Sequence, residues 1–565
     1  MRKEPLRGAH SIGHKVATQA ILCLLTVCAT AIGLLSSVTT AAQGDDERVY
    51  LVHADELKYD SYGPNPLAQV ANGNVHFIHQ GADMWCDSAY FFQESNAMQA
   101  FGHVKFVQGD TLSLVCEYAD YDGQTQLMAA RRNVVMRHNE QTLYTDSMNY
   151  DRLYSNAYFF EGGKLIDESD ELVADWGSYN TVTRQAVFYY NVKLRGEKHI
   201  VTTDTLYYDM QTSLAHVTGP SEITSGTGVV RTEDAYLNSE TDISELYGRS
   251  TLTDNGKTIT ADSLFHNNQT GDNDGFGRVV YRDEDNGNGI DCDRLFYNDS
   301  TGFGYATGHV VMKEYSQGDT LFVHSDSLKL YTYNIDTDSV QRVAHSYYKV
   351  RAYRSDLQAV CDSMVFASAD SCLTLYRDPI VWNGNRQILG EVITVYMNDS
   401  TVRQADVAGQ ALAVELVDEE GHFNQISSQR MDAFFIDGAV REVVSTGNVK
   451  SIYHRIDEND SVVVELNYLE TDTLRMYMSP ERQLQRIRTS RAQATMYPIT
   501  QVPPERRQLP EFQWFDYVRP TDKHDIFDWR AKGAGKELKT TTREAAPPPA
   551  TSARRNTEAV TRERQ

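Results

Sequence analysis

The stretch Thr203-Asp204-Thr205-Leu206-Tyr207-Tyr208-Asp209 decides the reading of this chain, because nearly the whole sequence restates it. It stands first as Ala54-Asp55-Glu56-Leu57-Lys58-Tyr59-Asp60 and returns from Cys86, Cys116, Thr145, Ala174, Thr232, Ala261, Cys292, Ser325, Cys361 and Thr471. Two degraded copies lie around Glu391 and Gln429. The acidic position recurs at steps of about 29 to 36 residues, from Asp55 through Asp87, Glu117 and Asp146 to Asp326 and Asp362. A fixed period of that size signals stacked repeats, in which no single unit can bury its own apolar face.

Each unit has a second half built on Gly-x-Val, as in Ala71-Asn72-Gly73-Asn74-Val75 or Thr307-Gly308-His309-Val310. Alternation of apolar and polar residues, with many Val, Tyr, Thr and Phe, predicts strands throughout. The phase of that alternation is informative. Ile259 and Ala261 belong to one inward set and Leu264 and His266 to the next, so the parity slips by one residue at Asp262. Ile290 and Cys292, followed by Leu295 and Tyr297, slip in the same way. A one-residue slip turns every later side chain to the other face. A bulge or corner at the small-Asp pair is therefore predicted, with the carboxylate accepting hydrogen bonds from backbone N–H groups freed at the bend.

The amino terminus carries Arg2, Lys3, Arg7 and Lys15, then an apolar run from Ala20 to Leu35, then small residues to Ala42, the layout of an export signal ending near residue 42. Five cysteines follow it, Cys86, Cys116, Cys292, Cys361 and Cys372. Four of them occupy the small position of the repeat and are expected to be buried thiols, with a Cys86–Cys116 bridge as the alternative. A formal charge of −25 makes nucleic acid an unsuitable partner. No cysteine or histidine pair has zinc spacing and no stretch completes a calcium loop, so no metal or cofactor is expected. The acidic column puts one carboxylate on each rung, whereas acid–base catalysis needs two facing one substrate, so the chain is not expected to be an enzyme.

With these phrases in hand, the chain resembles the OstA-like (organic solvent tolerance) family of periplasmic lipopolysaccharide-transport proteins over roughly residues 48 to 496. The resemblance implies an all-β fold, an elongated repeat jellyroll or solenoid of two facing sheets, here with about 14 repeats. It also implies a bridge between inner and outer membranes that carries the acyl chains of lipopolysaccharide in an apolar groove. Related β-jellyroll components of the transport machinery would be its partners, with end-to-end self-association as a further mode. The expected organisation is a signal (1–42), regular repeats (48–370), a less regular continuation (371–496), a Pro and aromatic capping segment (497–529) and a basic tail (530–565). Leu57, Val75, Val104, Leu206, Leu264, Val279, Leu295, Val310, Leu328 and Leu474 are the candidate groove residues. The same residues would equally pack a dry core, and an exported structural or adhesive solenoid without lipid is the competing reading.

Overall fold

The computed structural model describes residues 47–536 apart from 64, 168–169, 198, 317, 336, 338, 399–400, 458–461, 482 and 534–535. The expected signal and all but a few residues of the basic tail lie outside the described residues. The described chain is almost wholly β, an antiparallel succession of strands with four short 3-10 turns near its end. No helix among the described residues is long and apolar enough to cross a membrane. The chain divides into two compact units, Met1–Glu168 with Ser178–Val182, and Ser169–Gly177 with Thr183–Gln565.

In the first unit the strands Gln69–His79, Ala82–Phe92, Ala97–Gln108, Leu112–Asp122, Leu127–His138 and Gln141–Asp151 pair in sequence order. Each is broken at its middle. Asn72 pairs with Ser88 and Val75 with Cys86, so Gly73 and Asn74 together oppose Asp87 alone. Two residues against one is a bulge, and both Gly73 (φ 76°) and Asn74 (φ 46°) are left-handed. Repeated strand after strand, the bulges form a crease that folds the sheet into two arms. Arm A holds the residues before each Gly-x and after each acid; arm B holds the rest.

In five repeats, those of Asp55, Asp87, Asp204, Asp262 and Asp293, the acid lies over the glycine of the following strand. A Cβ built on Gly308 would stand 2.3 Å from Asp293 Oδ2, and one on Gly102 would stand 2.4 Å from Asp87 Oδ2. The carboxylate also meets the side chain after that glycine: Asn74 Nδ2 donates to Asp55 at 2.9 Å, and His103 Nδ1 and His309 Nδ1 lie 2.7 and 2.8 Å from Asp87 and Asp293. Arg278 reaches Asp262 with two nitrogens, at 2.7 and 3.1 Å, which holds that carboxyl below its usual pKa. The acceptor role predicted for the column is thus real, but its donors are mainly side chains. At Asn133 a backbone N–H does reach the column within the crease, donating to Asp146 Oδ1 at 3.3 Å. The degraded copies keep the arrangement, since Gln410 donates to Glu391 at 3.2 Å and Gln429 crowds Gly447. The residue closing the phrase acts elsewhere, since Asp122, Asp209 and Asn267 accept from backbone N–H groups two or three residues on and shape the hairpin turn.

The two arms of the first unit face each other over a dry core. Phe77 on arm B meets Phe91 on arm A with ring centres 5.4 Å apart, and Phe106 meets Tyr150 at 6.2 Å. Phe77, Leu114, Tyr121, Met128, Met148 and Tyr150 are all buried. Polar closures at the rim pair His79 Nδ1 with Tyr121 Oη at 2.7 Å and His138 Nδ1 with Tyr179 Oη at 2.8 Å. Cys86, Cys116, Cys292 and Cys361 are buried and free, and no Cys86–Cys116 bridge forms. The strand Ala97–Gln108 lies between their strands, pairing with Ala82–Phe92 on one side and Leu112–Asp122 on the other.

The second unit continues the same creased pairing from Gln185–Arg195 to Val463–Met478. Its last part carries an additional layer. Residues beyond Pro498 run back over the outer face of arm B as a strap. Val502 and Leu509 pack with Ile452, Leu466 and Tyr468, and Phe515 and Val518 pack with Ile380, Trp382, Leu389 and Val414. Buried glutamines tie down the strap backbone: Gln425 Oε1 accepts from Leu509 N–H and Gln387 Oε1 from Phe515 N–H, both at 2.8 Å. The wholly buried Arg351 donates to Val518 O at 3.0 Å and pairs with Asp525 at 3.3 Å. The strap backbone and the two terminal nitrogens of Arg351 are satisfied in this way without a further strand, while Arg351 Nε has no partner.

Candidate functional site

The register of the second unit aligns equivalent residues into lanes, each member a direct cross-strand neighbour of the next at about 4.5–5.5 Å between Cβ atoms. The crease lane runs Leu206, Val217, Ala235, Leu246, Leu264, Gly275, Leu295, Ala306 and Leu328. One step out on arm B, a second lane runs Val201, Ile223, Val230, Leu252, Ile259, Tyr281, Ile290, Met312 and Val323.

The two lanes differ in exposure. In the crease every member but Leu295 is buried, whereas the six arm B residues from Val230 to Met312 are all half-buried. At ~4.8 Å per strand those six span roughly 24 Å. The corresponding arm B lane of the first unit, Phe77, Met84, Phe106, Leu114 and Met136, is fully buried.

The difference originates on arm A. Opposite the buried lane of the first unit stand Phe91, Met98, Tyr121, Met128 and Tyr150, which fill the space between the arms. Opposite the half-buried lane of the second stand Ala215, Leu237, Ser244, His266, Asn273, Tyr297 and Gly304, small or polar for the most part. His266 Nδ1 and Asn273 Oδ1 satisfy each other at 2.8 Å, so this wall presents a closed hydrogen-bonding pair instead of apolar bulk. Tyr281 is the polar member of the arm B lane; burial and then the Asp283 carboxylate push its hydroxyl up to about 12, so it remains a neutral donor. The arrangement offers an apolar wall, a polar wall and no pair of free carboxylates. It can hold an apolar chain.

The sequence-predicted residues fall mostly at the crease. Val75, Val104, Leu206, Leu264, Val279, Val310, Leu328 and Leu474 are buried there, and Leu295 is half-buried. Leu57 departs from the inward reading: it is 53% exposed, because among the described residues its strand Glu56–Tyr59 pairs only with Gln69–His79 and has no second neighbour to cover it. Within each unit these residues flank the crease: Val75 and Val104 in the first, and in the second Val279 and Val310 on arm B with Leu206, Leu264, Leu295, Leu328 and Leu474 on arm A. The arm B lane was the missed part. Ile259 and Ile290 share the inward parity of the crease residues, and that parity was the available signal.

The fold and this lane define a creased, repeat-built β protein with a partly open apolar trough. Residues 46–204 match the family model described as OstA-like protein. No curated protein matches the chain.

Proposed function

We propose that the protein binds the acyl chains of lipopolysaccharide, or of a closely related lipid, along the arm B lane from Val230 to Met312 and serves lipid transport toward the outer membrane. The observation that carries this reading is the half-buried lane itself, six consecutive apolar or aromatic neighbours facing a wall too small to cover them. Each methylene removed from water there contributes about 0.8 kcal/mol, and successive rungs offer near-equivalent surroundings, so a chain can move along them without a large step in energy. The OstA-like match supports a place in periplasmic lipid transport. No reaction is assigned to the chain under this reading.

The ends of the pairing fit partners of related β-jellyroll architecture. Among the described residues Glu56–Tyr59 pairs on one side only, and so does Leu484–Ser490, whose residues are all exposed. Open edges of this kind accept a further strand.

Photo-crosslinking in living cells tests the lane. A photoreactive residue at Ile259, Ile290 or Met312 is expected to label lipopolysaccharide, whereas one at Thr260, on the opposite face of its strand, is not. Equal labelling at Thr260 and Ile259 refutes the groove and leaves the exported structural solenoid as the better account, a reading the dry core of the first unit already favours for residues 47–167.

A further inference from the structure

A separate cluster lies in the hairpin loop between the strands Thr401–Leu416 and Phe423–Ile436. The ligating atoms of Asp418, Glu420 and His422 all lie within 4.8 Å of one another. The loop is closed by Val417 N–H donating to His422 O at 2.8 Å and by His422 N–H donating to Asp418 Oδ1 at 3.1 Å. These bonds explain the loop without any ligand.

They do not explain His454. It stands on the next strand, Ala439–Ile456, with only 4% of its surface exposed, and its Nδ1 is buried with no hydrogen-bond partner. A buried ring nitrogen left without a partner is costly, and native structures rarely keep one without a reason. Its ring packs on His422, with centres 5.2 Å apart and planes inclined by 47°. Two imidazoles on one tetrahedral ion, at ~2.0–2.1 Å from metal to nitrogen, hold their ring centres roughly 5 Å apart. The 5.2 Å separation of the His422 and His454 rings is compatible with that arrangement.

We propose that Asp418, Glu420, His422 and His454 form a binding site for a divalent transition metal ion of the zinc class. Asp418 Oδ2 lies 2.6 Å from His422 Nδ1, so it fixes the ring and leaves Nε2 with the lone pair, as carboxylate partners do for metal-bound imidazoles. Glu420 supplies an exposed carboxylate and His454 its unpartnered nitrogen. A donor set of two imidazoles and the Glu420 carboxylate, with Asp418 orienting His422, favours zinc, cobalt, nickel or copper over calcium and magnesium, which prefer oxygen alone. The ion would clip the loop to the strand Ala439–Ile456 beside the strap, where Phe423 meets Phe512 and Trp514 with ring centres 5.1 and 5.3 Å away. The proposal is independent of the lipid reading.

The test uses the full chain without a histidine tag, stripped with chelator. Zinc titrated by calorimetry is expected to bind one ion per chain, and cobalt to give the visible absorption of a tetrahedral site. Glu420→Gln and His454→Gln are each expected to weaken zinc binding 10-fold or more. Glu420 is exposed, so loss of binding in that variant, with unchanged melting of the metal-free protein, reports the ligand and not the fold. Absence of one-to-one binding at micromolar zinc, retention of it in both variants, or tighter binding of calcium than of zinc would each overturn the assignment.

Discussion

Gly308→Ala is the sharpest perturbation of the crease. Gly308 sits at φ 72°, where an L residue costs about 1–2 kcal/mol. The added Cβ would also stand 2.3 Å from Asp293 Oδ2, 2.7 Å from its Cβ and 2.8 Å from its Cγ, so the whole acid side chain must swing away and release His309. The Asp293–His309 pair is well exposed and contributes little by itself. Displacing the acid therefore costs mostly through crowding, on the order of 1 kcal/mol, for a sum of about 2–3 kcal/mol. Because repeat arrays open locally, the assay is native-state hydrogen exchange of amides in Asn288–Asn298 and Phe303–Glu314, where that sum appears as roughly 30- to 160-fold faster exchange. In an Asp293→Gly background, which removes the Cβ at 2.7 Å together with the carboxylate, the obstacle is gone and only the backbone cost of ~1–2 kcal/mol should remain, about 5- to 30-fold. If Gly308→Ala accelerates exchange equally in both backgrounds, the acid does not cover the glycine and the account of the repeated Asp fails.

Three further outcomes follow from buried groups. Asp525→Asn leaves the buried Arg351 without its carboxylate, a loss of up to about 3–5 kcal/mol, and should make residues 499–530 the first site of limited proteolysis; an unchanged cleavage pattern would show that the pair does not hold the strap. Burial pushes the thiols of Cys86 and Cys292 up to about 12 and that of Cys116 up to about 11, so among the described cysteines only Cys372 should react readily with a thiol reagent in the native protein at pH 8, with the other four following on denaturation. Burial, and then Arg152, hold His79 below its ordinary 6.5, so the unfolded chain binds the proton more readily; stability of the first unit is full above that pH and declines as pH falls through and below it. His79→Gln should flatten that part of the stability profile, and a profile of unchanged slope would exclude His79 as its source.

Much of the fold was legible in the residues, for a physical reason. Side chains alternate with period two, so the slip at Ala261-Asp262 could only be a bulge, and Gly277 with Arg278 supplies the two left-handed residues that oppose it. The partner of the acid was not legible. Asp262 meets Arg278 sixteen positions later, across a strand pairing that local pattern does not contain. The site was half legible: parity placed Ile259 and Ile290 on the inner face with Leu264 and Leu295, but exposure depends on what stands across the crease. Ile259 is half-buried and Leu114, its counterpart in the first unit, is buried because of their opposing arms and not because of their own sequence. The strap was marked by Pro503, Pro504 and its aromatics, yet its seat on the outer face depends on Gln387 and Gln425, two residues with no distinguishing pattern of their own.

One crease geometry thus supports two kinds of interior, and side-chain volume on arm A selects between them. Where that arm carries Met98, Tyr121, Met128 and Tyr150, dispersion and burial across the crease are satisfied internally and nothing is left for a ligand. Where it carries Ala215, Ser244, Asn273 and Gly304, Ile259 and Ile290 keep unspent apolar surface. Closing the trough would have needed only larger residues at those four positions, since the crease, the pairing and the acid column are the same in both units. The open lane is therefore a property of the side chains laid on the repeat, and the repeat itself is compatible with either a filled core or a conduit.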